Sequence, residues 1–401
     1  MPWNTIFFDS SNLSNHPLAC PCLVPHCTTD IFSISSFLNF FYILLLYTKF
    51  ANFLKTYKIV LLQIKKGCSL KLNYKDVLIP PKITNIDSRS KVKLESKKKF
   101  KFSRNNWEGI PLIASNMDYV GTFETAKDLQ KNKILTAISK YYSDSEWVQA
   151  IESGVDINYS FITFGLENPN KILDKIHSIE DLTNKTFKFV MFDIANGYLV
   201  KYHNMINEFR KQRKDLILAA GNVVTKEGVK AISDAGTDLI KIGIGSGSVC
   251  DTSTVTGIGY PQFSAVDECS NEAINLGVKI IADGGIRSSG DIVKSFVAGA
   301  DFAMLGSLLA GHEQGGSPIK EINGKKHRQY YGMSSEQAMS NHEGKKKSYR
   351  ASEGSVKWIE DNGDVNRTVE EILGGLRSAC TYLNVSNIDG INKNIDYITV
   401  K

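Results

Sequence analysis

The stretch VKIIADGGIRSSGDIVKSFVAGADFAMLGS, Val278–Ser307, sets out one complete unit of the fold. It opens with the apolar run Val278–Ala282, turns at Asp283-Gly284-Gly285, and continues through Asp291–Ala298 with apolar residues at helical spacing. It then reaches a second apolar run, Phe302–Leu305, which ends in Gly306-Ser307. Two short apolar runs joined through a helical pattern make a β-α-β unit, whose strands lie parallel. Working outward, the same rhythm recurs at Ile110–Ser115, Ile134–Ser139, Ser160–Phe164, Phe187–Phe192, Leu216–Ala220 and Asp238–Ile242. Thr225–Ala235 and Ala265–Leu276 have the spacing of helices that lie outside a barrel. Eight such units predict an α/β protein built as a closed (β/α)8 barrel, the TIM-barrel architecture, with a doubly wound sheet as the alternative. No further domain is inserted between the strands.

Barrel enzymes place their chemistry in the loops after the strands. Here those positions are polar or glycine: Asn116 and Asp118, Lys140, Gly165, Asp193 and Asn196, Gly221 and Asn222, Gly243–Gln262, Asp283–Gly285, and Gly306 with Ser307. Any one of them reads as a turn residue, but eight in register point to a site. Asp283-Gly284-Gly285 and Gly306-Ser307 follow the seventh and eighth strands, where glycines and helix N-termini commonly hold a phosphate. Asp283 would repel that anion and better accepts sugar hydroxyls, so the ligand reads as a nucleotide or sugar phosphate. The loop Gly243-Ile-Gly-Ser-Gly-Ser-Val-Cys250-Asp-Thr252 is long and glycine-rich, the mark of a mobile active-site loop. Cys250 within it is the candidate nucleophile, while Cys269 and Cys380 fall in helical patterns that suit inert buried thiols.

Composition narrows the class. The 401 residues are 42% hydrophobic and 22% charged, which suits a soluble packed protein, and the net charge of +6 is too slight to argue for nucleic acid. Lysines between Lys91 and Lys101 and at Lys345–Lys347 read as a solvated face. The seven cysteines form no dense, even framework, which favours a reducing, cytoplasmic setting. Residues 1–67 stand apart from a catalytic domain at 68–401. Residues 1–48 contain no Lys or Arg, and Ile31–Thr48 is an uncharged run just long enough to cross a bilayer, diluted by Ser33, Ser35, Ser36 and Asn39. The preferred reading is a disordered extension or a mistaken start; the alternative is a single span with the barrel facing the cytoplasm. Cys20, Cys22 and Cys27 beside His26 lack the usual spacing of a structural zinc site.

Four motifs carry a resemblance: Gly245-Ser-Gly247-Ser248-Val-Cys250, Ala282-Asp283-Gly284-Gly285, Tyr331-Gly332-Met333-Ser334-Ser335 and Tyr349-Arg350-Ala-Ser-Glu353-Gly354. Over about residues 69–401 the chain resembles the IMP dehydrogenase/GMP reductase family. Three features lean towards its reductase branch: no inserted CBS pair, the closing segment Thr256-Gly-Ile-Gly-Tyr-Pro-Gln262, and the Tyr-Arg-Ala-Ser-Glu-Gly loop. The resemblance implies that Cys250 attacks C2 of GMP, that ammonia leaves a covalent thioimidate, and that hydride from NADPH then gives IMP, a step in purine salvage. It carries Thr252 and Glu353 over as the proton relay. Substrate contacts fall to Asp283, Gly284, Gly285, Gly306, Ser307, Gly332, Met333 and Ser334. Cofactor contacts fall to Ser88, Arg89, Lys140, Asp193, Ile194, Ala195, Tyr349 and Arg350. Carbonyls of Gly245, Gly247 and Cys250 match a potassium or other monovalent-cation site, with Ser253 at the position of the arginine that helps build it, and a homotetramer is implied. Asp251 and Ser253 depart from the family's Thr-Thr-Arg after the cysteine, which puts potassium dependence in question. The competing readings are an IMP dehydrogenase without CBS domains and a catalytically silent, membrane-tethered nucleotide-binding barrel.

Overall fold

The computed structural model describes residues 70–344 and 348–400. Eight parallel strands form the barrel: β1 (Asn106–Ala114), β2 (Ile134–Ala137), β3 (Ser160–Phe164), β4 (Phe189–Asp193), β5 (Ile217–Val223), β6 (Leu239–Ile242), β7 (Lys279–Asp283) and β8 (Phe302–Leu305). Each pairs with the next, and β8 returns to β1 through Ala303↔Leu112, Met304↔Ile113 and Leu305↔Ala114. That last pairing closes the sheet, so the open doubly wound alternative does not hold. Helices follow the strands in turn: α1 (Phe123–Leu129), α2 (Asp144–Glu152), α3 (Pro169–Thr183), α4 (Val200–Gln212), α5 (Lys226–Asp234), α6 (Gln262–Leu276), α7 (Ser289–Val297) and α8 (Val365–Tyr382). Their starts are written locally. Thr225 and Ser288 cap α5 and α7 by accepting from the amides of Gly228 and Asp291, which satisfies donors that no helical carbonyl can reach.

Period-two alternation divides the strand residues between two packed layers. Phe161, Phe189, Met191, Ile217, Ala219, Leu239, Ile281, Phe302 and Met304 fill the lumen, while Val190, Phe192, Leu218, Ile240, Ile280 and Ala303 pack outward against the helices. Phe100 and Trp107 join the lumen cluster, next to a strand at Ser96–Lys99 that runs antiparallel to β1. At the other end the lumen register continues into Asp193 after Met191, Lys241 after Leu239 and Asp283 after Ile281. The alternation that builds the core therefore also delivers three charged side chains to one layer.

Between β8 and α8 the chain makes an antiparallel sheet of β9 (Ile319–Ile322), β10 (Lys325–Tyr331) and β11 (Val356–Glu360), with a helix at Glu336–Glu343. Sequence periodicity did not reveal this excursion. After Gly306-Ser307 the chain makes one 3-10 turn, Ser307–Leu309, rather than a helix, because it leaves the barrel there for β9. Among the described residues no helix is long and apolar enough to cross a membrane. The candidate span Ile31–Thr48 and the cysteines at 20, 22 and 27 lie outside the described residues.

Candidate active site

A cavity of about 230 Å³ opens at the C-terminal end of the barrel. It is lined by Cys250, Thr252, Glu353, Asp283–Gly285, Gly306, Ser307, Gly332–Ser334, Asp193–Ala195, Gly245 and Gly247. Residues read from six separate stretches of sequence thus meet in one place. A larger groove, about 870 Å³, lies on Lys98, Lys99, Lys101 and Arg104, but no cysteine lines it, and Lys98 and Lys279 there are tied up with Asp389 and Asp301.

Cys250, the candidate nucleophile, and its neighbours form a short chain. The Cys250 thiol lies 3.4 Å from Thr252 Oγ1, and Thr252 Oγ1 donates to Glu353 Oε2 at 2.9 Å. Thr252 opens a one-turn helix, Thr252–Thr256, that the sequence reading did not anticipate. Main-chain bonds fix Glu353 opposite it: the Asp251 amide donates to the Glu353 carbonyl (2.8 Å), the Glu353 amide to the Ser334 carbonyl (3.1 Å), and the Ser355 amide to the Val249 carbonyl (3.1 Å). The cysteine loop, the turn at Gly332–Ser334 and the loop of Glu353 are therefore stitched together through their backbones.

Asp283-Gly284-Gly285 makes the turn the anion reading required. Gly284 and Gly285 have φ of 99° and 76°, and a Cβ on Gly284 would come within 2.4 Å of Ser246 Oγ, displacing the cysteine loop. Tyr330, at the end of β10, was not picked out from the sequence. A Cβ on Gly306 would sit 3.1 Å from its hydroxyl, and burial pushes the phenol up to about 12, so it remains a neutral donor beside the Gly306-Ser307 turn.

Beneath the cavity lies a charged layer the sequence reading missed. Lys241, 2% exposed, pairs with Asp193 and, at 3.2 Å, with Asp283 Oδ2. Asn116 donates to Asp193 Oδ2 at 2.9 Å, and Asn222 donates to Asp283 Oδ2 at 2.7 Å. Gly221 makes room, since a Cβ there would lie 2.6 Å from Lys241 Cβ. The available signal was a lysine inside the apolar run Leu239-Ile-Lys-Ile242. Burial alone would lower the Lys241 pKa, but the Asp193 and Asp283 carboxylates outweigh it and hold it above the ordinary lysine value. Burial alone would raise Asp193, and Lys241 reverses that, holding its carboxyl below the usual range. Asp193 therefore stabilises the fold above about pH 4 and loses that contribution as acid protonates it; Lys241 stabilises below about pH 10 and loses it as base removes its proton. Lys241→Met is expected to leave two partly buried carboxylates without their shared cation and to cost about 3 kcal/mol in denaturant melts at neutral pH. A loss below about 1 kcal/mol would show the pair to be solvent-screened.

Not every expected cofactor contact lines the cavity. Ser88 and Arg89 lie in a turn packed against α8, and Tyr349 and Arg350 are exposed. Lys140 stands near Asp193 and adds to the pull on its carboxyl. Ser253 is exposed, and its hydroxyl donates to the Gly245 carbonyl at 3.4 Å.

A model of the IMP dehydrogenase / GMP reductase domain matches residues 71–401. The chain belongs to this family. It is 43% identical over 339 residues to the GMP reductase of Yersinia pestis (strain Pestoides F), covering 84% of this chain and 97% of that protein. The GMP reductase of Yersinia pseudotuberculosis serotype O:1b (strain IP 31758) stands at the same figures. The family match thus embraces the whole barrel, the cysteine loop and the sheet that carries Tyr330.

Proposed function

We propose that the chain is a GMP reductase, an oxidoreductase that converts GMP, with NADPH, to IMP and ammonia in purine interconversion and salvage. The observation that carries this reading is the Cys250–Thr252–Glu353 chain beside two glycine turns suited to a nucleotide phosphate. Cys250 Sγ bonds to purine C2 and gives up its proton. Thr252, backed by Glu353, delivers a proton to the departing amino group, the C–N bond breaks, and ammonia leaves a thioimidate on Cys250. NADPH, when bound, supplies the hydride that reduces C2. The C–S bond then breaks with its electron pair returning to sulfur, and IMP is released. Asp283 orients the ribose, Gly284, Gly285, Gly306 and Ser307 cradle the phosphate, and Gly332, Met333 and Ser334 receive the base.

Residues on the Asp193 side fit the cofactor: Asp193, Ile194 and Ala195 continue the cavity past Lys241, with Lys140 close enough to act on the Asp193 carboxyl. Through the resemblance, Lys140 and Arg350 suit a phosphorylated nicotinamide nucleotide. Ser88, Arg89 and Tyr349 belong to the same reading through the resemblance, as does a homotetramer in the cytoplasm. For a monovalent cation, the carbonyls of Gly245, Gly247 and Ser253 each accept one hydrogen bond, from Ser253 Oγ, the Cys250 amide and the Gly257 amide. A carbonyl keeps a second lone pair. Together with the Cys250 carbonyl the set fits a weakly held potassium ion, which would brace the cysteine loop.

The test mixes GMP with NADPH and follows nicotinamide absorbance. Oxidation with stoichiometric IMP and ammonia supports the reading; XMP formed from IMP and NAD moves the chain to the dehydrogenase branch, and no turnover of either leaves a silent binding barrel. Within the same proposal, residues 68–401 are the catalytic domain and 1–67 a dispensable extension. Deleting 1–67 is expected to leave activity within about twofold, since the barrel closes without them. Active full-length protein in the membrane pellet, released by that deletion, would reverse this in favour of an anchor.

A further inference from the structure

Asp118 follows Met117 in the loop after β1, its side chain 10% exposed and outside the cavity lining. One of its oxygens, Oδ2, accepts from the Tyr331 hydroxyl at 2.6 Å and meets His342 Nε2 at 2.6 Å. The other, Oδ1, accepts from Ser139 Oγ at 3.1 Å. Asn341 Nδ2 donates to the Tyr331 hydroxyl at 3.0 Å, Tyr119 packs edge-on against the Tyr331 ring, and Tyr141 stacks on His342 at 3.4 Å with the rings 3° from parallel. Tyr331 is held as a neutral phenol, raised first by burial and then by Asp118 itself.

What these two partners flank gives the cluster its meaning. Tyr331 immediately precedes the turn Gly332–Ser335, and His342 rides on the helix Glu336–Glu343 that Ser335 caps. Within the turn the Ser335 amide donates to the Gly332 carbonyl, and the Ser334 carbonyl receives the Glu353 amide. We propose that Asp118 is a positioning residue: by gripping both flanks through one oxygen it fixes where Gly332–Ser334 receives the purine and, through Ser334, where Glu353 stands. The inference rests on the proposed function for the identity of the base. It predicts that the base contact, and not the phosphate contact, depends on Asp118, because Gly285, Gly306 and Ser307 belong to other loops.

The experiment measures affinities of the full-length protein for IMP and for ribose 5-phosphate by calorimetry, alongside KM and kcat with GMP. In Asp118→Ala, IMP affinity is expected to fall roughly tenfold or more, as for loss of hydrogen bonds to a charged group, with KM for GMP rising in step. Ribose 5-phosphate affinity is expected to stay within about twofold, which a general loosening of the fold would not spare. His342→Gln keeps a donor and should bind IMP better than His342→Ala. Should Asp118→Ala fail to fold, Tyr331→Phe removes one hydroxyl and should shift IMP alone in the same direction. Unchanged IMP affinity, or equal losses for IMP and ribose 5-phosphate, overturns the proposal. A parent that binds IMP but does not reduce GMP sinks the proposed function instead, and the binding comparison still decides the role of Asp118.

Discussion

Cys250→Ala is expected to bind GMP about as tightly as the parent while turnover falls on the order of 10⁴-fold or more. The two outcomes separate because the groups proposed to hold the nucleotide are elsewhere. Asp283–Gly285, Gly306-Ser307 and Gly332–Ser334 stand on other loops, whereas Cys250 is the one lining residue that offers a thiol to the cavity. Cys269 and Cys380 are buried, their thiols pushed up by burial to about 12 and about 11, and neither lines the cavity. They cannot stand in. Trapping the parent during turnover should place a purine adduct on the Cys250 peptide in a mass spectrum. IMP formed by the alanine variant at an appreciable fraction of the parent rate would remove Cys250 from the reaction.

Glu353→Gln is expected to divide the reaction. GMP reduction should fall about 10²–10⁴-fold, the range for losing a general acid, because the amide can still bond to Thr252 Oγ1 but cannot exchange the proton. Hydride transfer needs no such proton. Supplying IMP with NADP runs that half backwards to the thioimidate without ammonia, and this rate should stay within a few-fold of the parent. Equal losses in both assays would reduce Glu353 to a structural part of its loop.

The barrel was legible because its strands are covered on both faces and read as unbroken apolar runs; Ser160–Phe164 and Phe302–Leu305 coincide with the observed strands. The others drift at their ends for a physical reason. β4 and β7 include Asp193 and Asp283, and β5 runs on to Val223, since the ladder continues past the last apolar residue into the polar layer. Lys241 was hidden for the same reason: its partners come from strands far away in sequence, so nothing near it explains its burial. β9, β11 and the start of β10 are largely exposed and carry lysines, and only the end of β10 is buried, which leaves no apolar run to notice. At the site, Cys250 stood out through its glycine-rich loop, but Thr252 and Glu353 are 101 residues apart and only the family resemblance joined them. Asp118 was visible as a strand-end polar residue, but its partners Tyr331 and His342 lie at the end of β10 and on the helix that follows it, within the unrecognised excursion.

The main-chain stitching of the cysteine loop also bears on how the sequence can diverge. Asp251 is held to Glu353 by its amide and carbonyl partner, and Ser253 takes part in the one-turn helix through its own carbonyl. Every amino acid but proline brings the same amide and carbonyl to such bonds. Substitutions at 251 and 253 therefore leave the distance between Thr252 and Glu353 in the keeping of atoms that mutation does not alter. A lineage could exchange charges on the rim of this loop while inheriting the alignment of Thr252 with Glu353 intact.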